Sequence, residues 1–223
     1  MKPLVLGTTA VYARTLASRA LTRIVAIFGA LLVLIGLTSM VAVHSSTLLL
    51  PLLVLAVPAG LVLVAGLQRF NVEYQKARAG IRAEARTARR LSQCEVHAVV
   101  HGVLLGHGDI DHVVLGPCIS AVETKHGRGV LSVDSSGVLL VAGRRLTRDP
   151  IAQSRQAAER LTRHLGRRAY AVVVIVDAEG EPVKIGDVYV TSLRYLPACI
   201  SAIPASLDAQ AAQSLARTLP TAG

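Results

Sequence analysis

Gly108-Asp109-Ile110-Asp111-His112 opens one apolar run of this chain, and Val122-Glu123-Thr124-Lys125 closes the next. Side chains alternate along an extended strand, so Glu123 and Lys125 share one face. Asp109 and Asp111 likewise share a face, with Val113 and Leu115 beyond them. A carboxylate beside an ammonium on an otherwise apolar strand is costly to bury unless it is paired or holds a metal ion. If the two runs lie side by side in a sheet, Asp111 meets Glu123 and Lys125 at one edge. Two carboxylates facing each other then call for a cation.

The neighbouring sequence predicts the frame around these strands. Residues 96–105, 110–115 and 119–124 are short apolar, β-rich runs punctuated by Gly106, Gly108, Gly116 and Pro117. Two more, 130–133 and 138–141, flank the turn Asp134-Ser135-Ser136-Gly137, and together these runs predict an antiparallel meander. A helix starts at Asp149-Pro150, a favoured cap followed by a favoured first residue, and stops near Gly166. Its apolar face is Ile151, Ala158, Leu161 and Leu165; Gln153, Gln156, Arg160, Arg163 and Arg167 form a polar, basic stripe. Residues 171–176 are continuously apolar, as in a strand buried on both faces. A short strand at 188–191 and a terminal helix at 208–219 follow. Upstream, residues 73–92 read as a helix with Ala77, Ile81, Ala88 and Leu91 on one stripe. Glu84 falls on that apolar stripe, apart from a basic face of Arg78, Arg82, Arg86 and Arg89. This order of helix, three strands, hairpin, helix and strand predicts a mixed α/β fold with one central sheet.

The N-terminal third is of a different kind. Residues 24–43 and 48–67 are uncharged apolar runs, each about 20 residues, the length that crosses a hydrocarbon core as a helix. His44-Ser45-Ser46-Thr47 separates them. The pair predicts a transmembrane helical hairpin over 24–67, after a basic N-terminal segment, 1–23, and before a soluble domain, 73–223. Lys2, Arg14, Arg19 and Arg23 precede the first run, Arg69, Lys76, Arg78 and Arg82 follow the second, and the connecting turn has no Lys or Arg. The positive-inside rule then puts both termini and the domain in the cytoplasm, as in a multi-pass protein of a bacterial inner membrane. A cleaved signal peptide fits poorly, because the first run begins late and a second follows at once.

Composition agrees and excludes some classes. A formal charge of +10 points to an anionic partner, nucleic acid or membrane surface. Hydrophobic residues make up 52% of the chain, which suits membrane segments. The three cysteines, Cys94, Cys118 and Cys199, are scattered, which argues against a disulfide framework or a zinc site. His97, His101, His107, His112 and His126 fit no zinc spacing either. With no Trp and few aromatics, base-stacking platforms are not expected.

The carboxylates suit Mg²⁺, or Mn²⁺, which binds through one or two such groups and keeps waters for a substrate phosphate. Lys125 would orient or deprotonate the attacking water, or neutralise charge on the phosphate. Four stretches together carry a resemblance. They are Ala79-Gly80-Ile81-Arg82-Ala83-Glu84, Gly108-Asp109-Ile110-Asp111-His112, Val122-Glu123-Thr124-Lys125 and Asp149-Pro150-Ile151-Ala152-Gln153. Over about residues 77–180 the chain resembles the NERD (nuclease-related domain) family, itself similar to the PD-(D/E)xK nucleases. The family's Gly-x-x-Gly-Glu entry motif is degenerate here, with Ala83 in place of the second Gly. The resemblance implies a restriction-endonuclease-like mixed sheet flanked by helices, placed after the hairpin. It also implies an active-site set of Glu84, Asp111, Glu123 and Lys125, with the metal on Asp111 and Glu123 and Gln153 as the helical glutamine. Arg160, Arg163 and Arg128 are the basic residues expected to meet nucleic acid alongside Gln153.

The expected activity is metal-dependent hydrolysis of phosphodiester bonds, with DNA ahead of RNA, next to the membrane. The alternative is an inactive domain of the same fold that binds nucleic acid, or a membrane complex for DNA transfer or secretion; a homodimer is also compatible. Asp111, Glu123 and Lys125 also read as a structural ion-pair cluster, and the Arg160–Arg163–Arg167 stripe as a solvated helix face. Arg78 and Arg82, nearest the apolar runs, suit lipid head groups.

Overall fold

The computed structural model describes residues 2–106, 108–116, 118–204 and 207–221. His107 and Pro117, named above, lie outside the described residues. In chain order the elements are β1 (Leu4–Gly7), α1 (Val11–His44), α2 (Ser46–Leu91), β2 (Ala98–Leu105), β3 (Gly108–Leu115), β4 (Ile119–Lys125), β5 (Gly129–Val133), β6 (Leu139–Val141) and β7 (Arg144–Arg145). Then come α3 (Pro150–Leu165), β8 (Tyr170–Ile175), β9 (Ala178–Glu179), β10 (Val183–Ile185), β11 (Val188–Ser192), α4 (Leu196–Ser201) and α5 (Ala209–Thr218). They form two compact units: Tyr12–Ala79, and the residues up to Val11 together with those from Gly80 on.

Within Tyr12–Ala79, both helices are long and apolar enough to cross a membrane. They run antiparallel. A Cβ on Gly66 would lie 3.3 Å from Ile27 Cδ1, one on Gly60 would lie 3.9 Å from Leu34 Cδ2, and the Arg23 guanidinium sits 5.1 Å from the centre of the Phe70 ring. Small residues at such contacts let the two backbones approach closely. The sequence predicts a separate helix over 73–92 after the second apolar run, but α2 continues unbroken to Leu91. No Gly or Pro interrupts residues 67–73, and Arg69 pairs with Glu73 one turn on at 3.5 Å, so nothing ends the helix there.

In the other unit a seven-stranded sheet runs β1-β2-β3-β4-β8-β11-β10. β2, β3 and β4 are antiparallel neighbours, while β4, β8 and β11 are parallel. The parallel step follows from the α3 crossover between β4 and β8. α3 is capped as its sequence suggests. Asp149 Oδ1 accepts from Ile151 N at 2.9 Å and Ala152 N at 3.2 Å, and Gly166 ends the helix at φ 63°. α3 and α5 cover one face of the sheet, packing Ile151, Leu161, Ala212 and Ala216 against Val100, Val113 and Val173. The end of α2 and α4 cover the other, packing Ala83, Leu91, Leu196 and Ile200 against Val99, Val114, Val122 and Val174. The result is a mixed α/β fold of the nuclease-like type, layered helix–sheet–helix.

Four features differ from the sequence expectations. The hairpin β5–β6 leaves the central sheet and forms a second, small sheet, β7-β6-β5-β9, so the meander ends at β4. Of the stripe expected on this helix Ala77 and Leu91 are buried, but between them Ala83 and Thr87 face inward while Ile81, Glu84 and Ala88 are half-buried beside them. Leu4–Gly7, within the basic N-terminal segment, is an edge strand parallel to β2. Finally, Ile110, Val113 and Leu115 all pack in one core cluster, so strict alternation fails between residues 110 and 113. The reason is local. The β2–β3 ladder pairs His101 with His112 and Val103 with Ile110 but skips Gly102 and Asp111 between them, and Gly102 has φ 60°. A left-handed residue in a strand bends it and re-aims the side chain opposite.

Candidate active site

That bend sets the position of Asp111. The β3–β4 ladder runs from Leu115–Ile119 to His112–Val122 and goes no further. Where the next pair would join backbone to backbone, the Thr124 N–H donates instead to Asp111 Oδ2 at 2.7 Å. The strands thus part at the point where the carboxylate enters between them. On β4, Glu123 and Lys125 point the same way, and Lys125 Nζ donates to Glu123 Oε1 at 2.6 Å. Both side chains are mostly buried, 13% exposed for Glu123 and 26% for Lys125. A buried charge of either sign is tolerated here because the other lies against it.

Glu84 approaches from α2. Burial is the main reason its acidity is weakened, pushing its pKa up from the ordinary 4.5 to about 7; the charges of Asp109 and Glu123 push the same way. The backbone N–H of Ala10 donates to it, and Lys125 attracts it; both oppose the rise. Asp111 is held well above the usual carboxylate range, again first by burial and then by Glu123 and Glu84. Thr124 N–H and Lys125 offset part of this. Glu84, Asp111 and Glu123 therefore sit close enough to repel one another, with Lys125 as the cation among them. Perturbation of this kind by burial together with specific charged neighbours is characteristic of working sites.

Among the described residues, no three His, Cys, Asp or Glu side chains converge into a cage for a metal ion. The chemistry of the donors still fits one hard divalent cation. The oxygens of Asp111 and Glu123 lie at one sheet end, and their mutual repulsion would fall on adding positive charge. Mg²⁺ needs no full protein cage, because it keeps several of its waters.

Behind the carboxylates lies a buried pair of histidines. His101 and His112 face each other across β2 and β3, with Nδ1 to Nδ1 at 2.8 Å and the rings edge to face. Burial lowers the pKa of His101 to about 4 and that of His112 well below its ordinary value, so both are neutral. One Nδ1 carries the proton and the other accepts it. His112 Nε2 has no partner among the described residues. A bare acceptor there costs less than a bare N–H, which makes His112 the Nδ1–H donor.

The remaining sequence candidates are placed unequally. Gln153 lies on the first turn of α3, and its Oε1 is buried without a partner among the described residues. Arg160 lies over the start of β3, where a Cβ on Gly108 would be 3.0 Å from one of its guanidinium nitrogens. Its Nε is buried and unpaired among the described residues. Arg128 is exposed in the loop between β4 and β5, just past Lys125. Arg163 is elsewhere: with Arg155, Arg168, Tyr170 and Asp187 it lines a groove at the start of β8, whereas Lys125 is registered with Ile175 at the end of that strand. Arg86, assigned above to a basic helix face, pairs with Asp177 at 2.5 Å, and His126 approaches the same carboxylate at 3.5 Å. Cys94, Cys118 and Cys199 are free and buried, and burial raises all three thiols, which keeps them unreactive.

Two contributors escaped the sequence: the Ala10 N–H and the His101–His112 pair. The only signal for the first was the apolar tetrapeptide Leu4-Val5-Leu6-Gly7, a possible strand ended by glycine. The family model of the nuclease-related domain, NERD, matches residues 79–190, half of the chain. That span holds Glu84, Asp111, Glu123, Lys125 and Gln153. No curated protein and no solved structure matches the chain.

Proposed function

From the premise that this chain belongs to the nuclease-related domain family, we propose that it is a membrane-anchored, Mg²⁺-dependent nuclease that hydrolyses phosphodiester bonds in DNA. The observation that supports this reading is that Asp111, Glu123 and Lys125 meet where β3 and β4 part, with Glu84 near enough to share their charge. Asp111 and Glu123 would hold the cation, which supplies positive charge to the phosphate and to the oxygen developing charge as the bond breaks. Lys125, anchored by Glu123, orients the attacking water or neutralises a non-bridging phosphate oxygen. Hydrolysis adds the water oxygen to phosphorus and breaks one P–O ester bond, leaving a phosphate monoester and an alcohol. Glu84, hydrogen-bonded by the Ala10 backbone, would help to hold the cation. Gln153, Arg160 and Arg128 flank the site and would contact the nucleic-acid backbone.

The membrane part of the reading has support independent of hydropathy. β1 precedes the two apolar helices, β2 follows them, and the two strands are hydrogen-bonded in parallel. Both ends of the apolar pair therefore return to one folded unit. An even number of crossings satisfies this, and a hairpin of two is the simplest. A single crossing or a cleaved leader does not. The basic residues flanking both helices favour the cytoplasmic side of an inner membrane.

The test uses the full chain in detergent micelles or nanodiscs, incubated with plasmid or linear DNA and Mg²⁺, Mn²⁺ or EDTA. Cleavage that requires the cation and disappears in Asp111→Ala and Lys125→Ala is the expected result. Absence of cleavage with either cation, with DNA binding intact in both variants, would refute it in favour of a non-catalytic binding domain.

A further inference from the structure

The family match begins at residue 79, yet the carboxylate cluster is not closed by residues beyond that point alone. Leu4–Gly7 pairs in parallel with Ala98–His101, and Leu4 N donates to His97 O at 3.0 Å. The fit between the two segments is too close for side chains. A Cβ on Gly7 would lie 2.1 Å from the carbonyl oxygen of His101, and one on Gly102 would lie 2.5 Å from that of Thr8. Both glycines have positive φ, 77° and 60°. Gly102 is also the residue at which the β2–β3 ladder skips Asp111. The chain then turns through Ala10, which is 3% exposed and has φ 60°, a left-handed conformation that alanine rarely adopts. A buried non-glycine residue held in this region marks a position over-determined by its surroundings. The turn packs Thr8 and Val11 against Gly102, opposite Asp111, and leaves the Ala10 backbone N–H as a hydrogen-bonding partner of the Glu84 carboxylate.

We propose that residues 4–10 are a built-in wall of the active site, with the backbone N–H of Ala10 as the positioning group that fixes the Glu84 carboxylate. This rests on the nuclease reading for its consequence in catalysis, though not for the contact itself. The donor comes from the backbone, so no side chain at position 10 is required beyond one compatible with positive φ. It comes from the far side of the apolar pair in sequence, so the site is complete only when the segments before and after that pair are folded together.

Two measurements on the full-length protein in detergent test this. The first is site-resolved amide exchange in Glu84→Ala. The Ala10 amide is expected to exchange at least about tenfold faster than in the parent, while the β1 amides paired to β2 stay protected, because only Ala10 loses its acceptor. An unchanged Ala10 amide overturns the proposal whether or not the protein cleaves DNA. The second is kinetic. An amide-to-ester replacement at Ala10, with lactate in place of alanine, keeps the methyl group and the left-handed turn and removes only the N–H. In that ester variant kcat is expected to fall about tenfold or more with KM for DNA unchanged. Retained kcat in the ester variant overturns the positioning role. If the parent shows no cleavage with any cation, the nuclease reading fails, and the exchange experiment still decides the contact.

Discussion

Replacing Glu84 with glutamine isolates the electrostatic cost of the carboxylate cluster. Its pKa is raised from 4.5 to about 7, chiefly by burial. For a carboxylate raised on folding, the native state holds its proton over a window where the unfolded chain has lost it. Its stabilising contribution is complete below about 4.5, declines as pH rises toward 7, and is gone above that. At about 1.4 kcal/mol per pH unit the whole window is worth roughly 3 kcal/mol. Glu84 keeps part of its surface in solvent, and screening reduces this to about 1–2 kcal/mol. Glutamine keeps an acceptor for the Ala10 N–H and cannot ionise. In EDTA at pH 8, Glu84→Gln should therefore unfold about 2–8 °C higher than the parent, judged by the usual scaling for chains of this size. At pH 4.5 the difference should vanish. The assay is the thermal midpoint of tyrosine fluorescence in micelles, across pH 4.5 to 8. The difference between variant and parent is the quantity to follow, since the buried histidines titrate alike in both and cancel. A difference that is flat with pH, or a parent that gains on the variant as pH rises, would refute the reasoning.

Other predictions concern neighbouring groups. Asp111→Asn keeps an acceptor for the Thr124 N–H while removing a buried charge; it should raise the EDTA-state midpoint, yet abolish both the further rise on adding Mg²⁺ and any cleavage. The histidine pair has the opposite pH sign: with the His101 pKa lowered from 6.5 to about 4, the native state binds fewer protons than the unfolded one between those values. The pair therefore withdraws stability as pH falls below about 6.5, and NMR of ring-labelled His101 should show a neutral imidazole down to about pH 5. Asp149→Ala removes two hydrogen bonds at the start of α3 and should cost about 1 kcal/mol in stability, measured by the same thermal midpoint. Because α3 carries Gln153 and Arg160, the loss of that cap should weaken DNA binding more than it lowers kcat.

The local elements were legible from residue types alone. Asp149-Pro150 and Gly166 bounded α3 because a cap, a ring-locked first residue and a left-handed stop act within one turn of chain. The apolar runs at 24–43 and 48–67 identified two membrane-length helices for the same reason: length and hydropathy are properties of a contiguous segment. Glu123 and Lys125 pointed to one site because the strand period is two. The location of Asp111 was a different matter. It depends on a left-handed Gly102 in the opposing strand, and alternation read along one strand does not register a bend imposed by its neighbour.

Packing between distant segments supplied the rest. It joined Leu4–Gly7 to β2 across more than eighty intervening residues, aimed the Ala10 N–H at Glu84, and buried His101 against His112. It sent Arg163 to the opposite end of β8 from Lys125 although Arg160, one turn earlier on the same helix, lies over Gly108. Which segments are helix, strand or membrane-length, and which residues are candidates for chemistry, followed from short-range sterics and periodicity. Which of the charged groups share one low-dielectric space was settled by packing, since burial and mutual repulsion exist only once distant segments are brought together.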